Sequence, residues 1–255
     1  MRGKNLKVRL LIGAAIALFF VFKRCSQREE NPYTGRMQTI SMNANEEIAI
    51  GLQSAPQMAQ QHGGLHESAQ YQALVDNVGQ KLVNNSIAQE TPYKYEFHLL
   101  ADPNTINAFA LPGGQIFITY ALFSQLKNED QLAGVLGHEV GHVLGRHSAE
   151  RIAESEYWQG LTTAGSVGAD MGSVVSGIGQ NTLLTNGRDD ELESDELGVR
   201  FMLKAGYNPE EMIGVMEILK AAAGPNRVPE FQSTHPDPDN RIEKIREAIE
   251  KYKGL

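Results

Sequence analysis

The chain has 255 residues, 41% of them apolar, which suits a buried core in one large domain or two small ones and excludes a disordered or collagen-like polymer. From residue 31 on, 16 basic side chains stand against 29 acidic ones with no basic stripe, so nucleic acid is excluded as a partner. Cys25 is the only cysteine, which rules out an intrachain disulfide.

Arg2, Lys4, Lys7 and Arg9 precede an unbroken apolar run, Leu10 to Phe22, closed by Lys23 and Arg24. The pattern predicts a signal anchor or a signal peptide over residues 1–25. The thirteen apolar residues make about 20 Å of helix, short of the roughly 30 Å hydrocarbon core, so a snorkelling anchor or a cleaved peptide both fit. No small-x-small cleavage site follows, which favours an uncleaved anchor. The excess of basic residues before the run places the N-terminus in the cytoplasm and the body in the periplasm of a bacterial envelope, or exports it if the segment is cleaved.

Residues 26–43, with the turn-rich "NPYTGR" at 31–36, are expected as a linker to a domain over 44–255. Apolar residues at helical spacing predict helices over 44–61 and 66–86. "YKYEFHLLAD" alternates Tyr93, Tyr95, Phe97 and Leu99 on one face, and "QIFITY" at 115–120 follows a Pro-Gly-Gly turn, so both read as strands flanking "NAFALPGG". From Asn128 the spacing becomes helical, with Asn-x-x-Gln resembling a capping box. Residues 157–187 hold seven glycines and are expected as a mobile segment or weak small-residue helices. Helical spacing returns over 188–206, where Asp189, Asp190 and Glu193 read as acids compensating the dipole of a helix start. It recurs after Asn208-Pro209, with Pro209 suited to a first helical position, and over 239–253.

The helix after Asn128 carries "GVLGHEVGHVLGRH" at 134–147. Residues four apart on a helix lie about 40° from one another, so His138 and His142 can offer nitrogens to one ion. A catalytic zinc takes three protein ligands and keeps one position for water. Glu139, beside His138, is placed to take the proton of that water. The apolar neighbours Leu136, Val140, Val143 and Leu144 would bury the motif, and a charged, histidine-rich stretch in a core needs a partner.

For a third ligand, the metzincin position is occupied by Ser148. His147 falls about half a turn from His138 and reads as a capping or packed histidine. A carboxylate from a second helix is the alternative. "ELESD" at 191–195 supplies Glu191, with Asp195 four residues on and able to accept the N–H of a ligand histidine. The segment Asn107, Ala108, Phe109 and Ala110 could form an exposed strand edge that pairs with an extended substrate, or a plain hairpin strand with Phe109 in the core.

The stretches "NPYTGR", "NAFALPGGQIFITYAL", "LAGVLGHEVGHVLGRH", "RDDELESDELGVRFMLKAGY" and "STHPDPDNRIEKI" together resemble metallopeptidase family forty-eight over most of residues 31–250. The resemblance implies an α+β gluzincin fold, mainly helical with a small sheet beside the active-site helix, and zinc on His138, His142 and Glu191. It further implies Glu139 as catalytic base and Asp195 beside a ligand histidine. It also singles out His235, which would otherwise read as an ordinary turn histidine, as a removable extra ligand; the mechanism still needs an oxyanion donor, for which His235 is the candidate. Ser194 stands where the family has alanine, and a branch without tetratricopeptide repeats is expected. The expected function is a zinc-dependent endopeptidase acting on extended or misfolded envelope proteins. The competing expectation is a membrane-anchored, chaperone-like or binding module with a latent or structural zinc.

Overall fold

Helix-forming amphipathic stretches alternate with only five short strands in the computed structural model, which describes residues 2–222, 231, 235 and 240–254, with the backbone alone for 2–5, 179 and 181–186. The protein is mainly helical with two small sheets, an α+β architecture. Among the described residues, no helix is long and apolar enough to cross a membrane.

Two compact units divide the chain: residues 1–43 with 147–187, and residues 44–146 with 188–255. In the first, helix α1 (Arg2–Ser26) is followed by a hairpin of β1 (Arg28–Glu30) and β2 (Met37–Thr39). Residues 31–36, expected as linker, are the turn of this hairpin. The Asn31 side-chain oxygen accepts from the amides of Tyr33 and Thr34, and the Asn31 amide donates to the Arg36 carbonyl at 2.8 Å. The same unit holds α6 (His147–Ala169) and the first part of α7 (Gly172–Ala205). Of the two expectations for the glycine-rich stretch, small-residue helices are what forms, interrupted at Asp170 and Met171, and the small residues let the backbones of α1 and α6 approach closely. Asp189 and Asp190 consequently lie well inside α7 and do not open a helix.

The second unit carries α2 (Ala44–Gln61), α3 (Ala69–Asn84), β3 (Glu96–Leu100), β4 (Ala108–Ala110), β5 (Gln115–Thr119), α4 (Tyr120–Phe123) and α5 (Glu129–Leu144). The remainder of α7, then α8 (Glu211–Ala222) and α9 (Arg241–Tyr252), complete it. Ser68 caps α3 by accepting from the Tyr71 amide. Asn128 caps α5 by accepting from Gln131 N at 2.8 Å, while the Gln131 side chain reaches the amide of Lys127, closing the box one residue early. Helix α8 starts two residues after Pro209, whose carbonyl accepts from Met212 N. The segment around His235, where a turn is expected, falls outside the described residues except for His235 itself.

The three-stranded sheet has the order β3-β5-β4, with β3 parallel and β4 antiparallel to β5. Gln72 and Gln80 of α3 hydrogen-bond the main chain of Tyr95, Phe97 and Leu99, covering the outer side of β3. The opposite edge belongs to β4. Phe109 and Phe117 stack with ring centres 4.9 Å apart and pack with Leu100 against Ala55, Met58 and Ala59 of α2. Helix α5 is enclosed so fully that every residue from Gln131 to Leu144 is buried.

Candidate metal centre

Burial of α5 depends on small residues along one side. A methyl group added at Gly141 would come within 2.9 Å of the Ser194 carbonyl oxygen, and one at Gly137 within 3.5 Å of Gly198. The backbones of α5 and α7 therefore nearly touch, which carries Glu191 and Asp195 to the two histidines of α5. Ser194, fully buried at this crossing, offers its backbone as the contact surface.

The structure brings His138, His142, Glu191 and His235 into one buried cluster whose donor atoms all lie within 4.8 Å of one another. His138 Nε2 is 3.0 Å from His142 Nε2 and 3.2 Å from Glu191 Oε2, and His142 Nε2 is 3.4 Å from Glu191 Oε1. Ligands about 2.0–2.1 Å from a tetrahedral ion stand about 3.3–3.4 Å apart, so the two histidine nitrogens, each facing a different oxygen of Glu191, are separated by distances close to the edges of such a polyhedron. His235 Nδ1 lies 3.4 Å from His138 Nε2 and 3.1 Å from Glu191 Oε1, at the position of a fourth donor. Its Nε2 faces the Ala108 carbonyl at 3.2 Å, which as a donor leaves the Nδ1 lone pair for the cluster. His147 is not among the four; it opens α6 and is buried.

Asp195 accepts from His138 Nδ1 at 2.8 Å, so Nε2 of His138 points at the other donors and is the nitrogen a metal would take once it is deprotonated. Arg241, at the start of α9, donates to both Asp195 oxygens at 2.6 and 2.9 Å and lies 3.4 Å from Glu191. Sequence reasoning passed over Arg241, although a signal was present. It occupies the apolar stripe of α9 with Ile245, Ala248 and Ile249, and a cation there opposes the helix dipole.

Among the described residues neither carboxylate oxygen of the buried Glu139 has a hydrogen-bond partner, and His235 Nε2 lies 3.6 Å from its Oε1. Burial raises its pKa, against the lowering influence of His235 and His138. A cavity of about 10 Å³, lined in part by Glu139, His138, Asp195 and Arg241, adjoins it. Burial would also raise Glu191, yet His235 and His142 hold it well below the usual carboxylate range. Burial pulls His138 down, but Asp195 and Glu191 outweigh it and raise this imidazole to about 9. Two imidazole nitrogens 3.0 Å apart, an anionic carboxylate and an orphaned buried acid form a set that a divalent cation would satisfy.

The four residues expected at a substrate edge divide by parity. Asn107 O accepts from Thr119 N and Leu111 N donates to Gln115 O, so Asn107, Phe109 and Leu111 turn their main chains to β5. Ala108 and Ala110 face the other way. On that side Phe231 N donates to the Ile106 carbonyl, beside the contact of His235 with Ala108.

The profile of Peptidase family M48 matches residues 69–249, more than half of the chain. The mitochondrial metalloendopeptidase OMA1 of Schizosaccharomyces pombe is 37% identical over 159 residues, covering 61% of this chain and 47% of that protein. The beta-barrel assembly-enhancing protease of Escherichia coli K12 is 30% identical over 194 residues, covering 71% and 39%. The OMA1 of Arabidopsis thaliana is 31% identical over 152 residues, covering 59% and 31%. This chain spans less than half the length of each of these relatives. A family match of that extent is decisive for kinship, and the chain belongs to Peptidase family M48.

Proposed function

We propose that the chain is a zinc-dependent endopeptidase that hydrolyses peptide bonds of extended or misfolded polypeptides. The observation that carries this reading is the convergence of His138, His142 and Glu191 beside a buried carboxylate, Glu139, that accepts no hydrogen bond among the described residues. His138, His142 and Glu191 would hold the zinc. When bound, zinc supplies the Lewis acidity that activates a water and polarises the scissile carbonyl.

The remaining work falls to the chain's own groups. Glu139 takes the proton of the attacking water and delivers it to the leaving amine nitrogen, and burial, by raising its pKa, makes it a better base. The adjoining cavity of about 10 Å³ is at the lower limit of what one water needs. Asp195 keeps the Nε2 lone pair of His138 aimed at the ligand cluster, and Arg241 keeps Asp195 ionised and oriented. An extended substrate would pair with the outward main chain of Ala108 and Ala110, which selects backbone over side chains and so suits unfolded proteins. His235 bonds that same edge and supplies a fourth donor, so it gates the resting site until it is displaced. Two of the relatives named above are a mitochondrial metalloendopeptidase and a beta-barrel assembly-enhancing protease, in keeping with polypeptide substrates. Residues 1–25 would tether the protein to a membrane, with the catalytic unit on the periplasmic side of a bacterial envelope.

The four-donor arrangement also favours a second reading, a chaperone-like or binding module with a structural zinc, since closed sites are the structural kind. Metal analysis with a casein cleavage assay separates the two. The endopeptidase reading expects one zinc per chain, cleavage lost on chelation, and a fall of several orders of magnitude in Glu139→Gln with zinc retained. Full zinc with no cleavage even in His235→Ala would favour the binding module.

A further inference from the structure

We propose that α1 and α6 together form the membrane-seated element of this protein, and that an anionic lipid bilayer covers the outward apolar side chains of α1. This rests on the tethering role given to residues 1–25 above and extends it to a second helix that lies between the two halves of the catalytic motif in sequence.

The two helices run antiparallel in direct backbone contact. A methyl group at Gly13 would meet the Ala164 carbonyl at 2.8 Å and Gly168 Cα at 2.9 Å, and one at Gly160 would collide with the Phe20 ring. Ion pairs close the interface at both ends. Arg9 bonds Asp170 at 2.6 Å and the Val167 carbonyl at 2.9 Å, while Lys23 bonds Glu156 at 2.7 Å and Arg24 lies over the Tyr157 ring at 4.7 Å. Between these collars α1 has no polar side chain from Leu10 to Phe22.

Among the described residues of this unit nothing covers the side of α1 turned away from α6: Leu11, Leu18, Phe19 and Phe22 are 62–75% exposed. Apolar groups of that size clustered on one surface mark a contact with lipid or protein. On α6 the exposed hydroxyls of Thr163 and Ser166 are satisfied by the carbonyls four residues earlier, at 2.9 Å each, which suits them to an apolar medium. The apolar stretch is about 20 Å long, too short for one helix to cross the roughly 30 Å hydrocarbon layer, whereas a two-helix wedge can seat partway. Tyr157 and Trp158 lie beside the Lys23 and Arg24 collar, the position aromatic side chains take at headgroup level.

Charge chooses the bilayer over a second copy of the chain. Helix α1 carries six basic residues, at both ends, and no acidic one. Arg9, Lys23 and Arg24 face acids of the α6 side, which leaves Arg2, Lys4 and Lys7 at the N-terminal end; two such ends packed side by side would place like charges together, whereas anionic headgroups would pair with them.

Trp158 is the only tryptophan and lies on α6, so its emission reports on the second helix by itself. The full chain would be added to vesicles of phosphatidylglycerol and phosphatidylethanolamine, with and without bromine on the acyl chains near the headgroup. Flotation with the vesicles, a blue shift of Trp158 and quenching by the brominated lipid are expected. Gly160→Leu, which forces Phe20 away, should abolish quenching while flotation through α1 persists. Flotation without quenching would overturn the inference and leave the tether through α1 standing. No flotation would sink the tether itself, and the inference with it. A stable dimer that ignores vesicles would assign the apolar face to a second copy and overturn the proposal, as would quenching that survives Gly160→Leu unchanged.

Discussion

Arg241 grips Asp195 with Nε 2.6 Å from one carboxylate oxygen and a second guanidinium nitrogen 2.9 Å from the other, both residues being almost wholly buried. The pair links the first turn of α9 to α7, and through Asp195 it reaches Nδ1 of His138. A salt bridge at this depth serves orientation more than stability, because each charge has lost its hydration.

Replacing Arg241 by Met should therefore cost about 3–5 kcal/mol, since Asp195 would be left buried and unpaired. Metal affinity should fall roughly 10–100-fold as His138 loses its fixed orientation. Chemical denaturation and competitive metal titration check the two effects separately. An unchanged affinity would show that Asp195 orients His138 without help.

The crossing of α5 and α7 makes a graded pair of variants. Gly141→Ala places a methyl group 2.9 Å from the Ser194 carbonyl and should destabilise by about 1–3 kcal/mol while lowering metal occupancy. At Gly137 the nearest atom is 3.5 Å away, an ordinary contact, so Gly137→Ala should be nearly neutral in thermal melting and metal content. Equal behaviour of the two would mean that this crossing does not set the ligand geometry.

The metal-free protein should bind zinc more tightly as pH rises. Burial lowers the His138 pKa, but Asp195 and Glu191 bring it to about 9, above the roughly 6.5 of an unfolded histidine. The stabilisation from protonated His138 is thus complete below about pH 6.5 and disappears as pH climbs through about 9. Glu191 and Asp195 are shifted downward, so their contribution is present above about pH 4 and is lost on acidification. At pH 7 zinc must displace the His138 proton, so about one proton should be released per ion and affinity should rise about tenfold per pH unit up to about 9. Calorimetry in buffers of different ionisation enthalpy counts that proton, and its absence would contradict the assignment of His138 as a ligand.

His235→Ala should retain zinc, because three donors remain, and should raise casein turnover on the order of tenfold, the equivalent of about 1.4 kcal/mol of gating. A fall of about 100-fold with zinc retained would instead make His235 the oxyanion donor. An unchanged rate would return it to a packing role beside Phe231, whose ring stacks on it with centres 4.3 Å apart.

How much was legible in the sequence depends on the range of the interaction. Helices α2, α3 and α5, the Asn128 cap, and the facing of His138 with His142 follow from residues three or four apart, which share a face whatever surrounds them. The composition of 157–187 left a mobile segment and small-residue helices as alternatives: glycines that weaken an isolated helix are what let α6 lie against α1, so their effect reverses once a partner is present. Strand pairing likewise decided that Ala108 and Ala110, and not Asn107 and Phe109, present their main chains away from β5, because parity depends on the register with β5. By itself the sequence determined that two histidines and a glutamate would lie on one buried helix, and it offered Glu191 and Asp195 as a correctly spaced pair on another. The tertiary structure decided that these two helices meet at Gly141 and Ser194, that Arg241 arrives from a third to balance Asp195, and that His235 reaches the fourth position. Those contacts join residues 44–97 positions apart, where helical periodicity is silent and only the packing of the whole unit sets distance.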